Sequence, residues 1–382
     1  MKLLKVFCMM TIMFTATSSL AQDKPDSLDL QHINNVSQSQ DLQPIDKSQD
    51  LQYSDNTNDL HKGNNVRRSK DLQLVNNSQP SQDLQAINNS WKPDKLDLRR
   101  AFPNNTNPPE RLSPVKTLQP LSSIEGVIRR VKLSDDMKFI ALTFDMCELD
   151  TTTTGCDMDV INFLKEREIP ASLFMGGKWM RTHSRRVKQI MSEYKLFEIA
   201  NHNWSHGNCA LLTEDGLKAQ ILWTQAEYEL LREELNDENI PEMITLFRLP
   251  YGRNSQKSLK IIADLGLRII QWDIAAESGA DNTNIKRAKR SAKIVVSMTK
   301  PGSILLFHAN NVPKGTANLL REVVNELEAK EYKFVKVSEL LTMGEVETVK
   351  DGYFSRPGDN YMLDKKFGID GTGRRTRFTG KP

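Results

Sequence analysis

The sequence predicts an α/β chain: a distorted seven-stranded (β/α) barrel preceded by a long disordered repeat segment. Three observations predict it. Seven short apolar runs recur from about Ile124 onward. Stretches with helical spacing lie between most of them. The composition also splits sharply, so the 38% hydrophobic content of these 382 residues is concentrated in the second part of the chain.

The runs are Phe139 to Phe144, Ala171 to Gly176, Leu196 to Ala200, Leu246 to Pro250, Arg268 to Trp272, Ser303 to Phe307 and Lys333 to Val337. Between them, Val160, Ile161 and Leu164 form one stripe, and Val187, Ile190, Met191 and Tyr194 a second. Leu259, Ile262, Ala263 and Leu265 form a third, stopped by Gly266, and Leu319, Leu320, Val323, Val324 and Leu327 a fourth. Apolar residues three and four apart share one helix face, whereas short continuous apolar runs read as buried strands. Strand and helix in alternation argue for a parallel sheet with crossover helices. Strands apolar on both faces favour a barrel or near-barrel over an open sheet. This domain is expected over residues 124–342.

The flanks read differently. Residues 1–21 have the form of an export signal: Lys2 and Lys5, an apolar stretch from Val6 to about Thr15, and small residues at Ser19-Leu20-Ala21. The stretch is shorter than the ~20 residues that span a bilayer, so no transmembrane anchor is expected. The mature chain is expected in the periplasm or the extracellular space. Residues 22–123 are rich in Asn, Gln, Ser and Asp and repeat Asp-Leu-Gln at residues 29, 41, 50, 71 and 83 with irregular spacing. Such a segment buries too little apolar surface to offset its ordering entropy, so it reads as a disordered spacer, with a partner-binding repeat as the alternative. Residues 343–382 read as a polar tail. A net charge of +3 gives no reason to expect nucleic acid as a partner. Of Cys147, Cys156 and Cys209, two could pair in an oxidising compartment.

Polar residues stand where the apolar runs end. Asp145 follows the first run, and His202 the third, with His206 four residues on. Arg248 lies in the fourth run, Asp273 follows the fifth, and His308 follows the sixth. In parallel β/α folds the carboxyl ends of the strands share one edge, where active sites form. Two imidazoles at this spacing can reach one metal ion. No Glu follows the first His, so this is not the His-Glu-x-x-His pattern of zinc proteases. Asp145, at the exit of a buried strand, is the natural general base.

In this order, Thr143-Phe144-Asp145, His202-x3-His206, Arg248-Leu249-Pro250-Tyr251-Gly252, Trp272-Asp273 and Leu306-Phe307-His308 resemble the polysaccharide deacetylases of carbohydrate esterase family 4 over roughly Lys138 to Leu341. The resemblance implies a barrel usually of seven strands and a divalent metal, most often zinc. It implies that His202 and His206 bind the metal, Asp145 is the catalytic base, and His308 is the acid that protonates the leaving amine. Arg248 would orient Asp145, Asp273 would tune His308, Leu306 would line the acetyl pocket, and the Tyr251 N–H would donate to the oxyanion. Trp179, Trp204 and Trp272 are candidates for stacking on sugar rings. The chain departs from the family at Met146, where the common motif has a metal-binding Asp; a thioether is a poor ligand for such an ion. Glu148 is the nearest substitute, with Asp150 and Asp157 further options and Cys147 a less favoured thiolate. The implied activity is N-deacetylation of an amino-sugar polymer, peptidoglycan or chitin-like. The alternatives are an O-acetyl esterase, a glycan-binding protein impaired in turnover, and a surface module acting through its repeats.

Overall fold

A computed structural model describes residues 109–149, 152–277 and 282–360. The proposed signal, the Asp-Leu-Gln repeats and residues 361–382 lie outside the described residues. The chain runs β1 (Val127–Lys132), β2 (Phe139–Met146), α1 (Met158–Glu166), β3 (Ala171–Met175), α2 (Gly177–Thr182), α3 (Ser184–Ser192) and β4 (Phe197–Asn201). It continues through α4 (Glu214–Leu235), β5 (Leu246–Phe247), α5 (Gln256–Asp264), β6 (Arg268–Ile269), β7 (Ile274–Ala275), α6 (Ile285–Met298) and β8 (Ile304–His308). It ends with α7 (Thr316–Glu328), β9 (Lys333–Phe334), α8 (Val337–Leu340) and β10 (Glu345–Val349).

Seven strands form a curled parallel sheet in the order β6-β5-β4-β3-β2-β8-β7. The predicted α/β class and seven-strand count hold, but the strands are not all the predicted ones. The run Arg268 to Trp272 ends in β6 at one edge, and the chain then reaches β7 at the other edge. Five peptide steps separate Ile269 from Ile274, so these ends lie within about 18 Å of each other. The half-barrel therefore nearly closes, and residues 270–273 span its gap. A backbone bond from Gln271 N to Ile128 O fastens β1 there. The seventh predicted run supplies β9, which pairs with the start of β2 off the main path.

Local sequence explains the helices. Asp157 accepts from Val160 N to cap α1, and Ser255 and Ser258 form a reciprocal capping box on α5. The α7 stripe of Leu319, Leu320, Val323, Val324 and Leu327 is wholly buried. Its burial is worth on the order of 10 kcal/mol as an upper bound. Gly315, just before α7, has φ +86°, and a Cβ there would come within 2.3 Å of the Asn282–Thr283 backbone.

The flanks dock more than their composition implies. Within the segment read as a spacer, Arg111 pairs with Glu229 and Glu233 of α4, and Leu121 N bonds Ala263 O of α5. Within the segment read as a tail, β10 pairs antiparallel with β1. Further on, the Tyr353 and Phe354 carbonyls accept from Arg129 at 2.7 and 3.2 Å. Backbone pairing and carbonyl acceptance need no apolar side chains, which is why composition does not reveal them. The three cysteines beyond Met146 are free thiols, so the expected pairing is not found.

Candidate active site

The site is assembled by strand register. Asp145 on β2 lies opposite His308 on β8, and one step deeper Thr143 lies opposite Leu306. Residues two apart on a strand share a face, so Leu306 and His308 line the same side, with Leu306 buried beneath. The next strands on the other side bring His202, which follows β4, and Arg248, which follows β5.

Arg248 is fully buried. Its Nη1 donates to Asp145 Oδ1 at 2.8 Å, Nε to Ile270 O at 3.2 Å, and Nη2 to Gln271 O at 3.1 Å. Its guanidinium carbon sits 3.8 Å from the centroid of the Phe174 ring, a cation–π contact. The half-barrel gap thus supplies two carbonyls that fix the arginine, and the arginine fixes the aspartate. Burial raises the Asp145 pKa, but its interactions with His202, Arg248 and His308 outweigh it and hold the carboxyl below its ordinary value.

The two histidines are arranged as ligands. His202 Nδ1 lies 2.9 Å from Arg248 O and, facing a carbonyl, must be the protonated nitrogen. Nε2 therefore keeps the lone pair. It lies 3.4 Å from Asp145 Oδ2 and is buried without a hydrogen-bond partner, as is His206 Nδ1. Burial lowers the pKa of both rings, that of His206 well below the ordinary value, so both are neutral. The rings stand edge to face at 4.8 Å. The third member of the group is Cys147: its sulfur and one nitrogen of each ring lie within 4.8 Å of one another. Two orphaned imidazole nitrogens and a thiol make a donor set that fits a divalent cation of the zinc kind.

Glu148, the expected third ligand, is not in that group. Its carboxylate accepts from Thr154 N at 3.1 Å and Thr182 Oγ1 at 2.9 Å, with His183 Nε2 at 3.8 Å. Asp157 is committed to the α1 cap, and Asp150 lies outside the described residues. Met146 is wholly buried in the core.

A second correction concerns the acid. Asp273 does not serve His308; it accepts from Ser303 Oγ at 2.7 Å and Ile304 N at 2.9 Å, joining the strand ends. The partner of His308 Nδ1 is Glu277, at 2.7 Å, and Glu277 in turn accepts from the Thr316 hydroxyl. Burial would lower the pKa of His308, but the Glu277 hydrogen bond and charge, with Asp145, raise it above the ordinary value. With Nδ1 taken, Nε2 is the nitrogen left to give up a proton. Sequence reasoning missed Glu277, whose only signal is an acid two residues beyond a very short strand.

Tyr251 has φ +59°, a left-handed conformation that costs a non-glycine residue energy, and its ring lies 4.3 Å from that of His206. His206 and Asn203 are also left-handed, so three strained positions surround the site. The tryptophans are not stacking platforms: Trp179, Trp204 and Trp272 are all at most 2% exposed. Trp272 instead backs Arg248 at 5.4 Å and donates through Nε1 to Phe354 O at 2.9 Å.

Residues 132–270 match the polysaccharide deacetylase family. Two peptidoglycan-N-acetylglucosamine deacetylases of Bacillus cereus are each 28% identical; the matches cover 51% and 55% of this chain and 66% and 91% of theirs. A chitooligosaccharide deacetylase of Rhizobium leguminosarum is 24% identical, covering 48% of this chain and 77% of that one. Among solved structures, a family 4 carbohydrate esterase from Bacillus anthracis aligns at 20% identity with a TM-score of 0.45, over 64% of this chain and all of that one.

Proposed function

Since the chain carries a domain of the polysaccharide deacetylase family, we propose that it is a metal-dependent hydrolase that removes N-acetyl groups from an amino-sugar polymer outside the cytoplasm. The single observation carrying this reading is the juxtaposition of Asp145, paired to Arg248, and His308, paired to Glu277, at one sheet edge beside two neutral imidazoles that each have one buried nitrogen without a hydrogen-bond partner. His202 and His206 would hold the cation, with a third donor from the loop after β2. When bound, zinc would supply Lewis acidity to the acetyl carbonyl and to a water molecule.

The remaining work falls to the chain's own groups. Asp145 is ionised at neutral pH and accepts the proton of the attacking water. Arg248 keeps that carboxylate in place, because three of its donors are fixed by Asp145 and two backbone carbonyls. The Tyr251 N–H, held by its strained turn, donates to the oxygen that gains charge; removing such a donor typically costs ~3–4 kcal/mol of barrier. Leu306 provides an apolar wall for the acetyl methyl. His308, kept protonated by Glu277, gives its Nε2 proton to the departing sugar nitrogen. One water and one acetamide thus become acetate and an amine. The relatives named for peptidoglycan N-acetylglucosamine and chitooligosaccharide support an N-acetylglucosamine polymer as the substrate class.

The test is acetate release from N-acetylglucosamine oligomers and peptidoglycan by the metal-stripped and zinc-reloaded protein, beside Asp145→Asn and His308→Ala. Release by the reloaded wild type, with loss in both variants, is expected. No release with any divalent metal, under conditions where a Bacillus cereus peptidoglycan deacetylase is active, would overturn the assignment.

A further inference from the structure

We propose that Cys147 is the third metal ligand, bound as a thiolate, giving a Cys-His-His site in place of the aspartate-containing one. The proposal rests on the metal-dependent reading above but concerns only which atoms hold the ion. Three independent features lead to it. The first is geometry: the Cys147 sulfur lies with one ring nitrogen each of His202 and His206 inside a 4.8 Å cluster, the one such group among the described residues. The second is need: His202 Nε2 and His206 Nδ1 are buried without hydrogen-bond partners. Buried polar atoms are rarely left so, because each costs about 1–3 kcal/mol.

The third is strand period. Side chains alternate along β2, so Met146, its last residue, turns into the core away from the face of Asp145, and Cys147 is the first residue past the strand end. The backbone fixes the sulfur: the Cys147 carbonyl accepts from Thr154 Oγ1 at 2.9 Å and Asn310 Nδ2 at 3.0 Å. Among the nearby described carboxylates, Asp145 is held through Oδ1 by Arg248, while Glu148 is engaged with Thr154 and Thr182 and Asp157 with the α1 cap. Sulfur and imidazole together favour zinc over hard ions such as magnesium. On binding, the sulfur–metal bond forms as the thiol proton passes to solvent.

The full chain loaded with cobalt(II) should show a sulfur-to-cobalt charge-transfer band in the near ultraviolet. Cys147→Ser should abolish the band and weaken metal affinity by more than the about 10–100-fold typical of losing a supporting contact. Cys147→Asp should keep metal without the band, and Glu148→Gln should keep both. Should Cys147→Ser misfold, alkylation of the wild type decides: zinc should protect Cys147, mapped by peptide mass spectrometry with Cys156 and Cys209 as internal references. Full cobalt occupancy without the band, or unprotected Cys147 in the zinc protein, would overturn the ligand assignment. Acetate release without the band would leave the proposed activity standing and remove this ligand; the band without acetate release would do the reverse.

Discussion

Replacing Arg248 by methionine tests the arrangement on which the Asp145 carboxylate depends. Methionine roughly matches the stem of arginine and keeps contact with Phe174 and Trp272, but removes the charge and all three donors. Asp145 would then be a buried carboxylate without its cation, a loss of about 3–5 kcal/mol. For a domain of this size that corresponds to a fall in melting temperature of about 6–20 °C. Asp145→Asn leaves the reverse defect, a wholly buried guanidinium without an anion. The double variant has neither charge, so its cost should fall short of the sum of the two singles by about 2–3 kcal/mol. Urea unfolding at neutral pH with a metal chelator gives all four corners of the cycle. Additivity within about 0.5 kcal/mol would mean that the two side chains do not act as a pair and would refute the reasoning.

Three further outcomes follow from the same geometry. Glu277→Gln removes the anion that raises the His308 pKa, so the alkaline limb of kcat/KM should move to lower pH, while Glu277→Asp should restore part of it; an unmoved limb in Glu277→Gln would show that Glu277 does not govern the acid. Burial raises the Asp273 pKa to about 6. Its folded value therefore exceeds its unfolded one, so its contribution to stability is full below the unfolded value near 3.8 and is lost as pH rises through about 6. The difference amounts to about 3 kcal/mol. Asp273→Asn should flatten the stability profile across that window, and an unchanged profile would count against the burial argument. Zinc at about 100 times its dissociation constant should stabilise the fold by about 2.7 kcal/mol. Calorimetry would show this as a rise of about 5–11 °C, abolished in His202→Ala.

What the sequence revealed tracks how much of each element is continuous and apolar. β2, β3, β4 and β8 are long buried runs, and the residues at their ends include Asp145, His202 and His308. β5, β6 and β7 have two residues each, too short for a pattern. One apolar run, Arg268 to Trp272, therefore hides a crossing of the barrel gap, and Asp273, the residue after it, bonds Ser303 and Ile304 and not His308. The partner lies past the following strand, at Glu277. The 22-residue α4 was also illegible, because its buried face carries Thr224, Gln225, Glu227 and Glu229. Glu229 pairs with Arg111, Glu227 with Arg181, and Gln225 Nε2 donates to the Ile244 carbonyl, partners distant in sequence. The ligand position failed for a related reason. Reach favoured Glu148, but strand period and the hydrogen bonds from Thr154 and Thr182 decide where its carboxylate goes.

The family match ends at residue 270, yet the site does not. His308, Glu277 and Leu306 all come later, and so do the backbone contacts behind Arg248. Gln271 O accepts from Arg248, the adjacent Trp272 backs the same guanidinium, and Trp272 donates to Phe354 O. Arg129 of β1 donates to the Tyr353 and Phe354 carbonyls beside it. The segment also clasps the Pro250-Tyr251-Gly252 turn: Asn360 Nδ2 donates to Gly252 O at 3.2 Å, and a Cβ on Gly352 would come within 2.5 Å of that oxygen. A run of contacts therefore leads from residues 352–360 through the barrel gap to Arg248 and on to Asp145. An incomplete barrel lacks the closed hydrogen-bond ring that would otherwise hold its edge strands rigid. Here a polar strap from beyond the sheet supplies that restraint at the end of β5, the strand beside the β6 edge, which carries both Arg248 and the Pro250-Tyr251-Gly252 turn. On this reasoning the smallest unit able to hold the Asp145–Arg248 arrangement extends to about residue 360, well past the family match.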